Sequence, residues 1–411
     1  MKPLRFLLGA FGDPGHAFPA IALGRALRAR GHEVTLQTWT RWRQYVEAEG
    51  IAFAAAPEYH VFPTRGRPLK PYEAVVHAAH ETLALVRTVA PDAAVADILT
   101  LAPALAAELE GVPVATLIPH VDPRPAPGFA PYSLGARLPR TALGRRLWAA
   151  ADRITVHGLE RGRDELNATR AKLGLPAIDR VHNGISERLA LVATFPQLEY
   201  PRPWPPSTHI VGPLMWELPY HDVALPDCDQ ARPLVLVAPS TSQDPEQRLL
   251  RAAVEGLADE PVRVLASWNR RPPPRALRRI GSNTRLVEWV SYARTMPRCD
   301  VVVCHAGHGT MVRALASGCV VVAVPAAGDM NENAARLDWA GAGVRLPGRF
   351  VHPAAIRLAV MRALCDPRRR ERARALAAWA TAHDPGARAA QLLEEMVAAA
   401  TSGAACRAPA S

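Results

Sequence analysis

Two short loops hold the residue types that can do chemistry. The first is GAFGDPG, Gly9 to Gly15, which leads into His16 of GHAFP. An imidazole titrates near neutrality and can accept a proton from a substrate. At the start of a helix the dipole favours its neutral, basic form. A base needs an orienting partner, and Asp97 closes the apolar run AAVAD at what would be the same sheet edge. The alternative is that His16 and Asp97 only cap the helices that follow, and spacing alone leaves both open. The glycine spacing also suits a dinucleotide, but such a site needs a carboxylate at the end of the second strand. That strand ends Leu36-Gln37-Thr38-Trp39, so no nicotinamide or flavin cofactor is expected.

The second loop is VVVCHAGHGTMVR, Val301 to Arg313. An apolar strand empties into a glycine-bearing turn and then a helix start. Free amides at Gly307, His308, Gly309 and Thr310 can point at an anion, and the dipole assists. Gly307 and Gly309 allow a phosphate close to the backbone. The Thr310 hydroxyl and the His305 imidazole can add bonds. No Walker lysine and no acidic cluster for Mg²⁺ stands nearby, so the cradle suits a diphosphate without metal. Ser240 and Thr241, after an earlier strand, can approach the same anion. Asp329 either holds ligand hydroxyls or caps a helix. Trp289 either stacks on a flat base or fills core. His77 and His80, as H-x-x-H, lack a third ligand for a metal.

These loops need strands to deliver them. LRFLLGAFG, HAFPAIALGRALRARG and HEVTLQT read as strand, helix, strand, the start of a doubly wound α/β domain. The grammar continues through AAVADIL and VPVATLI, then a long helical region from Thr141 to Leu173. Prolines crowd PQLEYPRPWPPSTHIVGPLMWELP, which cannot be a central strand or helix and reads as a connection. A second series starts at PLVLVAPS and runs through VRVLAS, TRLVEWV, DVVVCHAG and CVVVAVP. Two Rossmann-like domains facing a cleft follow, with ligands at the carboxyl ends of the strands.

The bulk numbers agree. The 411 residues suit two domains, and 49% hydrophobic with 21% charged is globular. The net charge of +11 fits an anionic small molecule. The arginines are scattered, and no nucleic-acid motif is present. Six cysteines form no CxxC pair, so neither disulfides nor zinc are expected. The start reads as a strand rather than a signal peptide, and no run approaches a membrane span. A cytoplasmic protein, monomer or homodimer, is expected.

With these residues in view, the chain resembles the inverting nucleotide-sugar glycosyltransferases of family 1. These have the two-Rossmann (GT-B) fold and include bacterial macrolide and antibiotic enzymes and plant secondary-metabolite enzymes. The likeness is carried by GHAFPAIALGRALRARGHEVT, PDAAVADILTLAPALAAELEGVPVATL, HIVGPL and EWVSYARTMPRCDVVVCHAGHGTMVRALASGCVVVAVPAAGDMNENAARLDWAGAGV. It implies an acceptor domain over 1–213 ending in a Pro-rich linker, and a nucleotide-sugar domain over 214–378. It further implies a helix over 379–400 returning to the first domain, and a frayed tail over 401–411. His16 would be the base and Asp97 its orienting partner. Ser240, Thr241, His305, Gly307, Gly309 and Thr310 would hold the diphosphate, Trp289 and Val290 the base, and Asp329 and Met330 the sugar.

The implied reaction moves a hexose or deoxyhexose from a UDP- or dTDP-sugar to a hydroxyl of a small, largely apolar natural product. No metal or cofactor is needed. The acceptor would lie over His16 against segments Tyr59–Lys70, Glu73–Thr82 and His120–Phe129, which include His77 and His120. A nucleotide-sugar epimerase and a binding relative without transferase activity are the alternatives. The chain departs from the family in three places. Ser291-Tyr292 follow the Trp-x pair in place of Pro-Gln, Met330 replaces a glutamine that grips the sugar, and Arg313 stands where a ribose-binding Glu is common.

Overall fold

The structure, a computed structural model, describes residues 2–57, 73–139, 141–180, 184–220, 223–226, 229–240, 243–269, 277–326 and 328–405. Seven short segments form the first sheet: β1 (Arg5–Gly9), β2 (Glu33–Thr38), β3 (Ala52–Ala55), β4 (Ala93–Asp97), β5 (Val114–Ile118), β6 (Ala190–Val192) and β7 (Thr208–Ile210). Their order is β3-β2-β1-β4-β5-β6-β7, and every pair is parallel. The second sheet contains β8 (Leu234–Ala238), β9 (Arg263–Ser267), β10 (Thr284–Val287), β11 (Val301–Cys304), β12 (Val320–Ala323) and β13 (Gly343–Arg345). Its order is β10-β9-β8-β11-β12-β13, again parallel throughout.

Parallel strands need crossover helices, which cover both sheet faces and make the strands apolar on both sides. The second domain follows this rule residue by residue. Val302 and Cys304 enter one core with Leu234 and Leu236. Val301 and Val303 enter the opposite core with Val235 and Val237. The strand order reverses between β1 and β4 in the first sheet, and between β8 and β11 in the second. At such a reversal the outgoing loops diverge to opposite faces and leave a crevice at the carboxyl edge. The chain leaving β1 reaches His16 in the first turn of the next helix, Asp97 ends β4, and the loops after β8 and β11 carry Ser240 and His305.

The Pro-rich connection supplies no central strand, as its sequence requires: its β7 pairs with β6 at the edge of the sheet, where missing amide donors cost least. The chain end differs from its reading. Residues 379–382 complete the helix Pro367–Ala382, with Trp379 against the second domain's core. The returning helix is Pro385–Ala405, so residues 401–405 belong to it rather than to a frayed tail. Asp384 accepts from the Ala387 amide at 2.9 Å and starts this helix. Leu392, Leu393 and Met396 then join Phe6, Leu8 and Ile21 in the first core. Glu394 fixes the docking through Arg30 at 2.7 Å and His32 at 2.8 Å. Among the described residues no helix is long and apolar enough to cross a membrane.

Candidate active site

His16 stands in the first turn of the helix Pro14–Ala29, whose N-cap is Asp13. Its Nδ1 lies 2.8 Å from Asp97 Oδ1. Asp97 is buried, and its other bonds come from the amides of Phe11 at 2.9 Å and Leu99 at 3.2 Å. Neither residue is a simple cap: Asp13 and Thr100 hold the N-cap positions of the two helices. Because an ionised carboxylate only accepts, the imidazole proton sits on Nδ1, and Nε2 carries the free lone pair. Burial pushes the His16 pKa down, but the charge and hydrogen bond of Asp97, with Asp13 and Asp329 adding, outweigh it. The net shift is above the usual 6.5.

His120 follows β5 and faces the same ring, with centroids 5.9 Å apart and planes at 80°. Its Nδ1 donates to the Val121 carbonyl at 2.7 Å. Burial, then the neighbouring His16, lowers its pKa. The structure thus brings His120, but not His77, to the base. His77 is exposed on the helix Glu73–Val89 and bonds Glu81 one turn away at 2.7 Å. The expected wall Tyr59–Lys70 lies outside the described residues.

Across the cleft, the helix His308–Ala316 has Gly307 as its N-cap with no side-chain cap. The amides of His308, Gly309 and Thr310 therefore have no partner within the helix. Ala306 is held at φ +63, a sparsely populated conformation for a residue with a Cβ. That turn aims His305, whose Nδ1 is 3.4 Å from the Ala238 carbonyl. Burial lowers the His305 pKa. Gly307 has no room for a side chain, since a Cβ would fall 2.3 Å from His305 Nε2. A Cβ at Gly309 would meet nothing within 4 Å, so the space above the helix start is open. Ser240 is buried and its hydroxyl accepts from the Gln243 amide at 2.9 Å. Thr241 lies outside the described residues.

Asp329 begins the helix Met330–Ala340 without bonding a backbone amide through its side chain, so capping does not occupy it. Its charge favours the protonated forms of His16, His120 and His305. Met330 packs partly against the second core. Asn333 ties this helix to the anion loop by donating to the Ala306 carbonyl at 3.0 Å. Trp289 follows β10 and meets Tyr220 of the linker, ring centroids 5.1 Å apart. Val290 is buried in the second core.

Three features escaped the sequence. His308 is not a mere turn residue: its Nε2 meets the Thr194 hydroxyl of the first domain at 2.9 Å, and burial pushes its pKa down to about 3. Arg313 points away from the anion loop, to the Trp216 carbonyl at 3.1 Å and Glu217 at 3.8 Å. A buried ion cluster also joins the domains. Glu199 accepts from Arg336 at 2.8 Å and Arg202 at 3.1 Å, while Glu332 bonds Arg336 at 2.8 Å. Only the Glu332–Arg336 spacing of four gave a signal in the sequence.

Residues 6–116 match the glycosyltransferase family 28 N-terminal domain. Residues 254–396 match the erythromycin biosynthesis protein CIII-like C-terminal domain. The chain is a two-Rossmann glycosyltransferase of family 1. It is 29% identical to 4'-demethylrebeccamycin synthase of Lentzea aerocolonigenes, over 96% of this chain and 99% of that one. It is 27% identical to O-mycaminosyltylonolide 6-deoxyallosyltransferase of Streptomyces fradiae, over 95% and 97%. The fold matches the glycosyltransferase of kitacinnamycin with a TM-score of 0.74 at 22% identity, covering 96% of this chain and 99% of that one. It also matches glycosyltransferase VinC in complex with DTDP, with a TM-score of 0.68 at 20% identity over 96% and 99%. Sugar transfer is thus the activity of this glycosyltransferase, and neither an epimerase nor an inactive relative is favoured.

Proposed function

We propose that this glycosyltransferase moves a hexose or deoxyhexose from a UDP- or dTDP-sugar to a small, largely apolar natural-product acceptor, with inversion and without a metal. The observation that carries the reading is the opposition of a His–Asp base, His16 Nδ1 to Asp97 Oδ1 at 2.8 Å, to an uncapped helix start across one cleft. His16 Nε2 takes the acceptor proton as the acceptor atom attacks the anomeric carbon. The bond from that carbon to the diphosphate breaks on the opposite face, and its electron pair leaves with the diphosphate. Asp97 stabilises the imidazolium formed. The amides of residues 308–310, the dipole and Thr310 stabilise the departing charge.

His305 adds a proton-linked contact. With Nδ1 turned to the Ala238 carbonyl, its Nε2 donates to a phosphate only as imidazolium. Diphosphate binding therefore draws in a proton and reverses the effect of burial. Trp289 stacks the base, and Asp329 holds sugar hydroxyls. Met330 has a thioether where an amide would read one more hydroxyl, which favours a deoxygenated sugar. The name of the 6-deoxyallosyltransferase relative supports that choice, and the dTDP-bound neighbour supports that nucleotide.

The test is a thermal-shift panel of nucleoside diphosphates and their sugars, followed by glycoside detection with the donor that shifts most. His16→Ala should retain the donor shift and lose transfer. Unchanged turnover in that variant would remove His16 from the role of base.

A further inference from the structure

We infer that the acceptor site reads two neighbouring hydrogen-bond donors at once, His16 receiving the proton of the reacting group and His120 holding a second O–H or N–H beside it. The inference rests on the transfer reading above and names the chemical class of acceptor. A carbonyl can only accept, so the 2.7 Å contact between His120 Nδ1 and the Val121 carbonyl puts the His120 proton on Nδ1. The Asp97 contact does the same for His16. Both imidazoles then present Nε2 as an acceptor. Among the described residues neither Nε2 has a hydrogen-bond partner.

The two rings are in edge-to-face contact, 5.9 Å between centroids. Tyr132 supports His120 from the other side, its hydroxyl 3.4 Å from Nδ1 and its ring centroid 6.0 Å away. Phe11 supports His16 at 6.0 Å. Two imidazoles with ring centroids 5.9 Å apart, each with its lone pair on Nε2, are close enough to serve an acceptor with donors on neighbouring atoms of one rigid ring system, such as a vicinal diol, a catechol or a paired N–H. An acceptor with a single donor leaves His120 Nε2 desolvated and unpaired, which is the kind of mismatch that polar sites reject.

The test compares matched acceptors, a catechol-bearing aromatic and its mono-O-methyl ether, in the intact enzyme. The two-donor member should have kcat/KM higher by about 10- to 100-fold, the cost of one unpaired buried acceptor. His120→Phe, which keeps a ring but offers no acceptor, should collapse that ratio, and His120→Gln, which restores a carbonyl, should recover part of it. A general loss of folding would lower both members together and leave the ratio unmoved. The same pairs are also compared by binding to enzyme loaded with a nucleoside diphosphate, which needs no turnover. Turnover without preference, or an unmoved ratio in a His120→Phe enzyme that keeps the wild-type Tm, would overturn the two-donor inference alone. Preference in binding with no glycoside from either member would overturn the transfer reading alone. Neither preference nor turnover would overturn both.

Discussion

Replacing Asp97 by asparagine should disable the base while changing its shape very little. The carboxylate accepts three hydrogen bonds, from His16 Nδ1 and the amides of Phe11 and Leu99, and the side-chain amide that replaces it has one oxygen. If that oxygen keeps the Phe11 amide, the NH₂ group faces His16 Nδ1 and moves the imidazole proton to Nε2. The lone pair then points at the substituted amide and the cleft receives an N–H. If the oxygen keeps His16 instead, two donors meet at Phe11. Losing the ionic hydrogen bond to the imidazolium alone costs about 1.5–3 kcal/mol, or about 10- to 150-fold in rate. The inverted tautomer adds to that, so the plateau of kcat/KM should fall at least about 100-fold.

The pH profile provides the second readout. With His16 as the proposed base, kcat/KM should rise as pH rises through its pKa, which Asp97 holds above 6.5. Without that charge the largest remaining influence is burial, which lowers the pKa, so the acid limb should move to lower pH. Stability should change with the opposite sense. A raised folded-state pKa contributes stability that is fully present below the unfolded value of about 6.5 and is lost as pH rises through the folded value. Asp97→Asn should flatten that slope. Initial rates of nucleoside diphosphate release, with Tm across about pH 5 to 9, measure both effects. A plateau within about twofold of wild type, or an acid limb that stays in place, would refute the assignment of Asp97 as the partner of the base.

Gly309→Ala should leave Tm at the wild-type value, because the new Cβ meets nothing within 4 Å, yet raise the donor KM by about tenfold or more as it fills the space over the helix amides; an unchanged KM would place the diphosphate elsewhere. Arg313→Met should cost stability, about 1–3 kcal/mol after allowance for partial exposure, with part recovered when Glu217→Gln is added. Wild-type Tm with lost donor binding would instead make Arg313 a ligand contact.

His16 and Asp97 were legible although 81 residues separate them. Each ends a strand–loop unit beside a strand-order reversal, and that topology is written in the alternation of apolar runs. The strand, turn and helix of residues 301–313 were legible for the same reason. His308, Glu199 and Arg336 were not. Their partners belong to the other domain, 114 residues away for Thr194 and 137 for the Glu199–Arg336 pair. No local period encodes such a distance. Arg336 reads in sequence as an ordinary polar helix residue, yet it is buried, with its guanidinium 3.7 Å from the Tyr200 ring centroid. The short strands β3, β6 and β7 were also missed. At three or four residues they carry too few alternating positions to stand out.

Arg313 marks the limit of reading a site by matching positions. By position it replaces a carboxylate, which looks like a loss. In the folded chain its charge is sunk beneath the linker, where burial lowers its pKa and Glu217 opposes that effect. A buried cation needs an anion of its own, and the linker supplies one. The Glu217 carboxylate also accepts from the Ser291 hydroxyl at 2.5 Å and the Ala293 amide at 3.1 Å. The same carboxylate therefore fastens the segment after Trp289 to the linker, where Tyr220 meets the Trp289 ring. Ser291, another departure from the family pattern, is the residue that makes this bond possible, since the proline common at that position has no donor. Ser291 and Arg313 are therefore coupled in physical terms, since both meet the one Glu217 carboxylate of the linker.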